Sequence, residues 1–142
     1  MTDTIGFLGP GLMGRGIVKN LLAKGHKVTV LAHREGLKLD ELASAGAAVR
    51  KSLAEVGERN SVVMLCVPSS KEVEAAILGT PGLLSSMREG STIIDLSTSL
   101  PASTRMLAER LAERKIAFLD SPMTGTPVHA NAGELNLMIG GE

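Results

Sequence analysis

Ile5-Gly6-Phe7-Leu8-Gly9-Pro10-Gly11-Leu12-Met13-Gly14-Arg15-Gly16 is a short apolar run that breaks into Gly-x-Gly-x-x-Gly and continues into a helical pattern. A strand ending on such a turn brings a helix N-terminus to its tip. The first glycine permits the tight turn, the second lets the backbone approach a pyrophosphate, and the third lets helix and strand pack closely. Free N–H groups at the helix start, with the positive end of the helix dipole, then hold the anion without a basic side chain. Glycine-rich loops are common, so the weight of this reading rests on the remainder of the chain.

Bulk properties narrow the class. A chain of 142 residues fits one domain with a real core. Fifteen basic and fifteen acidic residues cancel, which leaves no electrostatic footprint for nucleic acid or an anionic membrane. The absence of Trp and Tyr, with only two Phe, disfavours a base-stacking platform. The longest apolar stretches are strand-sized, far short of the ~20 residues of a membrane span, and the N-terminus shows no signal-peptide pattern. The single cysteine, Cys66, lies within Val62-Val63-Met64-Leu65-Cys66-Val67 and reads as a buried strand residue rather than a reactive thiol. A reduced, cytoplasmic setting is expected. His26, His33 and His129 are scattered and make no metal site by spacing.

Strand and helix patterns alternate along the chain. Residues 5–8, 28–31, 61–67, 91–95 and 116–119 read as strands, with a short one near 48–49 and a last one at 135–139. Residues 12–24, 37–45, 52–58, 70–78 and 101–114 read as helices, the first with Met13, Ile17 and Leu21 on one face and Gly25 at its end. This order predicts an α/β, Rossmann-like, doubly wound and mainly parallel sheet with helices on both faces, in one domain over 1–142. Ligands of such sheets sit at the carboxyl ends of the strands. The loops there, 9–14, 32–35, 67–71, 95–101 and 120–127, are all rich in Gly, Pro, Ser, Thr or charge.

Four segments together resemble the cofactor domain of the β-hydroxyacid dehydrogenase family, which includes 3-hydroxyisobutyrate dehydrogenase, tartronate semialdehyde reductase and, more distantly, 6-phosphogluconate dehydrogenase. They are Phe7-Leu8-Gly9-Pro10-Gly11-Leu12-Met13-Gly14 with Asn20-Leu21, then Gly25-His26-Lys27-Val28-Thr29-Val30, then Asp95-Leu96-Ser97-Thr98 with Pro101, and Asp120-Ser121-Pro122-Met123-Thr124-Gly125-Thr126. The resemblance implies that Gly9, Pro10, Gly11, Leu12, Met13 and Gly14 form the pyrophosphate cradle. It places Val67, Pro68 and Glu72 beside the adenosine half and Thr98 near the nicotinamide. It also implies that Ser121, Thr124, Gly125 and Thr126 meet a substrate carboxylate through hydroxyl and backbone N–H donors. Read without the resemblance, 121–126 is a Pro/Gly loop and Thr98 a turn or capping residue. Thr126 replaces the second glycine of the family's substrate segment, where a side chain narrows the pocket or alters backbone freedom.

The cofactor is read from the end of the second strand, where NAD sites place an acid on the ribose hydroxyls. Here the strand runs Leu31-Ala32-His33-Arg34. His33 and Arg34 fit a 2′-phosphate, which Arg34 can grip with two hydrogen bonds. NADP is therefore expected over NAD, with Glu35 keeping NAD open.

In the family a lysine serves as general acid/base, within a G-x-x-x-N-x-x-x-K motif on a long helix that this chain does not include. Gly16, Asn20 and Lys24 match that spacing but lie on the first helix, so they are set aside and no catalytic residue is assigned. The expected function is the cofactor half of an NADP-dependent oxidoreductase. It would move hydride between nicotinamide and a small 3-hydroxy acid or its semialdehyde, in a full-length protein that is a homo-oligomer, and would be inactive when isolated. The alternative is a non-catalytic dinucleotide-binding or redox-sensing module. A methyltransferase would want an acid where Ala32-His33 stands, and a P-loop NTPase is excluded by Arg15.

Overall fold

A computed structural model describes residues 4–32 and 39–142. Six parallel strands form one sheet: β1 (Thr4–Leu8), β2 (Lys27–Leu31), β3 (Ala48–Arg50), β4 (Val62–Leu65), β5 (Thr92–Asp95) and β6 (Ala117–Asp120). Their spatial order is β3-β2-β1-β4-β5-β6, so the winding reverses between β1 and β4. That reversal leaves a crevice above the end of β1, where the glycine turn sits.

Strand side chains alternate between two cores, because a parallel sheet covered by helices is apolar on both faces. On one face Leu8, Leu31, Val63, Leu65, Ile93 and Phe118 pack under α3 (Leu53–Arg59), α4 (Ser70–Leu78), α5 (Leu83–Ser86) and α6 (Pro101–Ala112). On the other, Phe7, Val28 and Val30 with Met64 and Ile94 pack under α1 (Leu12–Ala23) and α2 (Asp40–Ser44). Among the described residues no helix is long and apolar enough to cross a membrane.

Two expectations change. The most buried positions of α1 are Gly14, Gly16 and Val18, while Ile17 and Leu21 are only partly buried and border a groove. Ile17 and Leu21 still pack against the edge of the core, and the close contacts made through Gly14 and Gly16 carry no side chain that apolar periodicity could mark. Of 135–139, only Asn136–Leu137 (β8) is a strand. It pairs antiparallel with Met123–Thr124 (β7) as a separate ribbon, and Leu137, Met138 and Ile139 remain exposed. Between the two ribbon strands lies α7 (Pro127–Ala132), a helix the expected element order lacks. Its signals were local: Pro127 in the first turn and Gly133 just past the end at φ 74°.

Candidate functional site

The glycine turn is shaped by close backbone approaches. Gly9 has φ +88°, and a Cβ there would lie 2.0 Å from the Cys66 carbonyl oxygen. A Cβ on Gly14 would lie 2.2 Å from the Gly9 carbonyl oxygen and 2.7 Å from the Phe7 ring. Gly11 differs: among the described residues a Cβ on it would meet nothing within 4 Å, so the space beside it is open on their side. Gly11 is also the N-cap of α1. No side chain caps that helix and no acidic residue stands in its first turn, which leaves its leading amides open to an anion. Pro10 is buried, Leu12 is exposed and Met13 is half-buried.

Register brings the other loops to the same edge. Leu8 pairs with Leu65, Leu65 with Asp95, and Asp95 with Asp120, so the loops after β1, β4, β5 and β6 leave from one row. Val67, Pro68 and Glu72 join Leu8, Gly9 and Leu31 around a cavity of about 320 Å³. The Ser69 hydroxyl donates to the Glu72 carboxylate and holds its pKa below the ordinary value. Thr98 is exposed, and it is not a capping residue, since Leu100 is the N-cap of α6 and no side chain caps it. Thr124, Gly125 and Thr126 are exposed at the same edge, whereas Ser121 is 1% exposed and its hydroxyl oxygen is enclosed without a partner among the described residues. His33 and Arg34 lie outside the described residues. No group of three or more metal-ligating side chains occurs among the described ones.

The edge is electronegative where β4, β5 and β6 end. Burial, and after it the charge of Asp95, pushes the Cys66 thiol up to about 11, so it stays protonated at neutral pH. Burial and then Asp95 likewise raise the Asp120 carboxyl above its usual value. A raised acid binds its proton more tightly when folded. Its favourable contribution is complete below the unfolded pKa and disappears as pH rises through the folded one. Asp120→Asn is therefore expected to melt higher than the unsubstituted protein at pH 7, with the gap closing as pH falls toward 4. A gap of opposite sign at pH 7, or one independent of pH, would contradict this.

Two features of the site escaped the sequence. Asn20 Nδ2 donates to the carbonyls of Ala130 (2.8 Å) and Asn131 (3.2 Å), which ties α1 to the end of α7. Gly16 lies under the same helix: a Cβ there would be 2.7 Å from both Ala130 C and Asn131 N. The spacing Gly16, Asn20, Lys24 is thus a packing seam, with Lys24 as the C-cap of α1. The second feature is His129, whose Nδ1 accepts from the Thr126 N–H (3.0 Å) and lies 2.8 Å from the Thr126 hydroxyl. Thr126 is extended at φ −117°, a conformation any residue adopts, so replacing glycine there carries no backbone strain.

Residues 4–142 match the family model described as the NAD binding domain of 6-phosphogluconate dehydrogenase. The chain is 33% identical over 138 residues to the 2-hydroxy-3-oxopropionate reductase of Escherichia coli, covering 97% of this chain and 47% of that protein. It is 38% identical over 138 residues to the cytokine-like nuclear factor N-PAC of Xenopus tropicalis, covering 97% of this chain and 26% of that one. Its fold superposes on Mycobacterium tuberculosis 3-hydroxyisobutyrate dehydrogenase, solved with L-serine, at a TM-score of 0.90 and 30% identity, over 100% of this chain and 47% of the other. The chain spans about half the length, or less, of these relatives. It belongs to the family of NAD-binding domains of 6-phosphogluconate dehydrogenase.

Proposed function

We propose that this domain seats NADP in an oxidoreductase acting on a small 3-hydroxy acid or its semialdehyde. The observation that carries the reading is the open space beside Gly11, at an uncapped helix N-terminus in the crevice where the sheet reverses. The α1 amides hold the pyrophosphate there, and the cavity bordered by Val67, Pro68 and Glu72 takes the adenosine half. Arg34 pairs with the 2′-phosphate. When bound, the nicotinamide supplies or accepts hydride. Thr98 borders it, and Thr124, Gly125 and Thr126 offer hydroxyl and N–H donors to the substrate carboxylate, while Ser121 supports that loop from inside. No general acid/base is assigned among residues 1–142.

Titration of the chain with NADPH and NADH, followed by cofactor fluorescence, tests this. NADPH is expected to bind at least tenfold more tightly; equal or tighter NADH binding would remove the 2′-phosphate assignment, and no binding of either would remove the dinucleotide site. A second reading, a binding module without chemistry, draws support from the likeness to N-PAC, where the matched region is 26% of a much longer nuclear factor. Turnover of tartronate semialdehyde or 3-hydroxyisobutyrate by the full-length protein decides between the two.

A further inference from the structure

Asp95, at the end of β5, is fully buried. Its Oδ1 accepts from the Ser97 N–H (2.9 Å), its Oδ2 from the Ser99 hydroxyl (2.7 Å), and its carbonyl from the Ser121 N–H (2.8 Å). Ser97, itself buried, accepts the Val67 N–H at 2.9 Å. Every one of these bonds runs to a loop at the carboxyl edge. Among the described residues no lysine or arginine pairs with Asp95. Its titratable neighbours are the Cys66 thiol and the Asp120 carboxyl, and its charge is felt at both.

A buried carboxylate without a cation is expensive, and a second carboxylate beside it adds to the cost. The bonds from the Ser97 N–H and the Ser99 hydroxyl offset part of that cost and tie the carboxylate to the 97–100 turn, with no lysine or arginine beside it among the described residues. A doubly wound sheet is two mononucleotide-binding halves. With the pyrophosphate at α1, and β1 to β3 beneath the adenosine, the second mononucleotide lies over the ends of β4, β5 and β6. In a nicotinamide dinucleotide that half carries a positive ring when oxidised and a neutral one when reduced.

We propose that Asp95 is a positioning and tuning residue for the nicotinamide half: it fixes the 97–100 turn, and its charge favours the oxidised, cationic ring over the reduced one. The proposal rests on the dinucleotide reading above. A unit charge acting through a partly buried path several ångströms long corresponds to a preference of roughly three- to tenfold.

The test is affinity of the 142-residue chain for NADP+, NADPH and 2′-phospho-ADP-ribose, which lacks the nicotinamide. Asp95→Asn keeps the shape and one acceptor, and is expected to weaken NADP+ roughly three- to tenfold more than NADPH while leaving 2′-phospho-ADP-ribose within about twofold. Ser99→Ala removes a bond but not the charge, and should leave the NADP+ to NADPH ratio unchanged. Asp120→Asn removes the neighbouring charge and should shift the ratio in the same direction as Asp95→Asn; it provides the readout if Asp95→Asn does not fold. Equal weakening of both redox forms, a ratio moved as far by Ser99→Ala, or an unmoved ratio in the charge variants would overturn the proposal. An unsubstituted chain that binds none of the three ligands would instead overturn the dinucleotide reading.

Discussion

Gly9→Ala is expected to lose both stability and dinucleotide affinity, whereas Gly11→Ala should lose affinity with little change in stability. At Gly9 an alanine must hold φ near +88° and place its Cβ 2.0 Å from the Cys66 carbonyl oxygen. The left-handed conformation costs about 1–2 kcal/mol. The overlap is with backbone, which moves only by shifting the end of β4, at a further ~1–3 kcal/mol. Out of roughly 5–15 kcal/mol for a domain, this lowers the melting midpoint by roughly 5–15 °C. At Gly11 the same methyl group meets no atom of the described residues, and φ is −83°. Only the helix N-cap preference of glycine over alanine is lost, about 0.5–1 kcal/mol. The methyl group instead fills the space assigned to the pyrophosphate, so affinity is expected to fall at least tenfold, or about 1.4 kcal/mol. Thermal melts and NADPH titrations of the two variants separate the effects. If Gly11→Ala binds NADPH as tightly as the unsubstituted chain, the glycine turn is not a pyrophosphate seat.

The strands and the principal helices were legible because parallel strands and strand-end loops leave strong local marks. The run 61–67 is apolar because both its faces are covered, and the glycine turn announces where the sheet reverses. The packing of α1 was not legible in the same way. Beside Val18, Ile17 and Leu21 its closest approaches run through Gly14 and Gly16, and the absence of a side chain carries no periodicity. Ser121 shows a different limit. A serine between Asp120 and Pro122 reads as a ligand donor, and the sequence does not show that it is 1% exposed, with its hydroxyl enclosed and unpartnered among the described residues. Asp95 and Ser97 were visible in a motif, but that the carboxylate is wholly buried, with no lysine or arginine paired to it among the described residues, appears only once β4, β5 and β6 are side by side. Long-range bonds such as Asn20 to Ala130 join residues 110 positions apart and have no local signature.

That bond and the glycine beneath it carry the other large effect. In an isolated helix Gly16→Ala would stabilise by about 1 kcal/mol. Here its Cβ would come within 2.7 Å of the backbone of Ala130 and Asn131, so α7 must move off α1, and a net loss of about 1–3 kcal/mol is expected. The loss is local. Amide exchange should accelerate at Ala130 and Glu134, whose N–H groups bond to the carbonyls of Thr126 and His129, while the amides of β1 and β4 stay protected. Asn20→Ala should loosen the same amides by a different route, because it leaves the Ala130 and Asn131 carbonyls without their side-chain donor, at about 1–3 kcal/mol. Asn20→Asp should be worse than alanine, since a carboxylate placed against two carbonyl oxygens repels them. Since α7 can be detached only once, the double variant Gly16→Ala/Asn20→Ala should lose less than the sum of the singles. Dinucleotide affinity should change less than about threefold in all of them, because α7 contributes no residue to the pyrophosphate turn. A Gly16→Ala chain more stable than the original, with α7 amides still protected, would mean that helix propensity outweighs the α1–α7 contact and that α7 is held by something other than this seam.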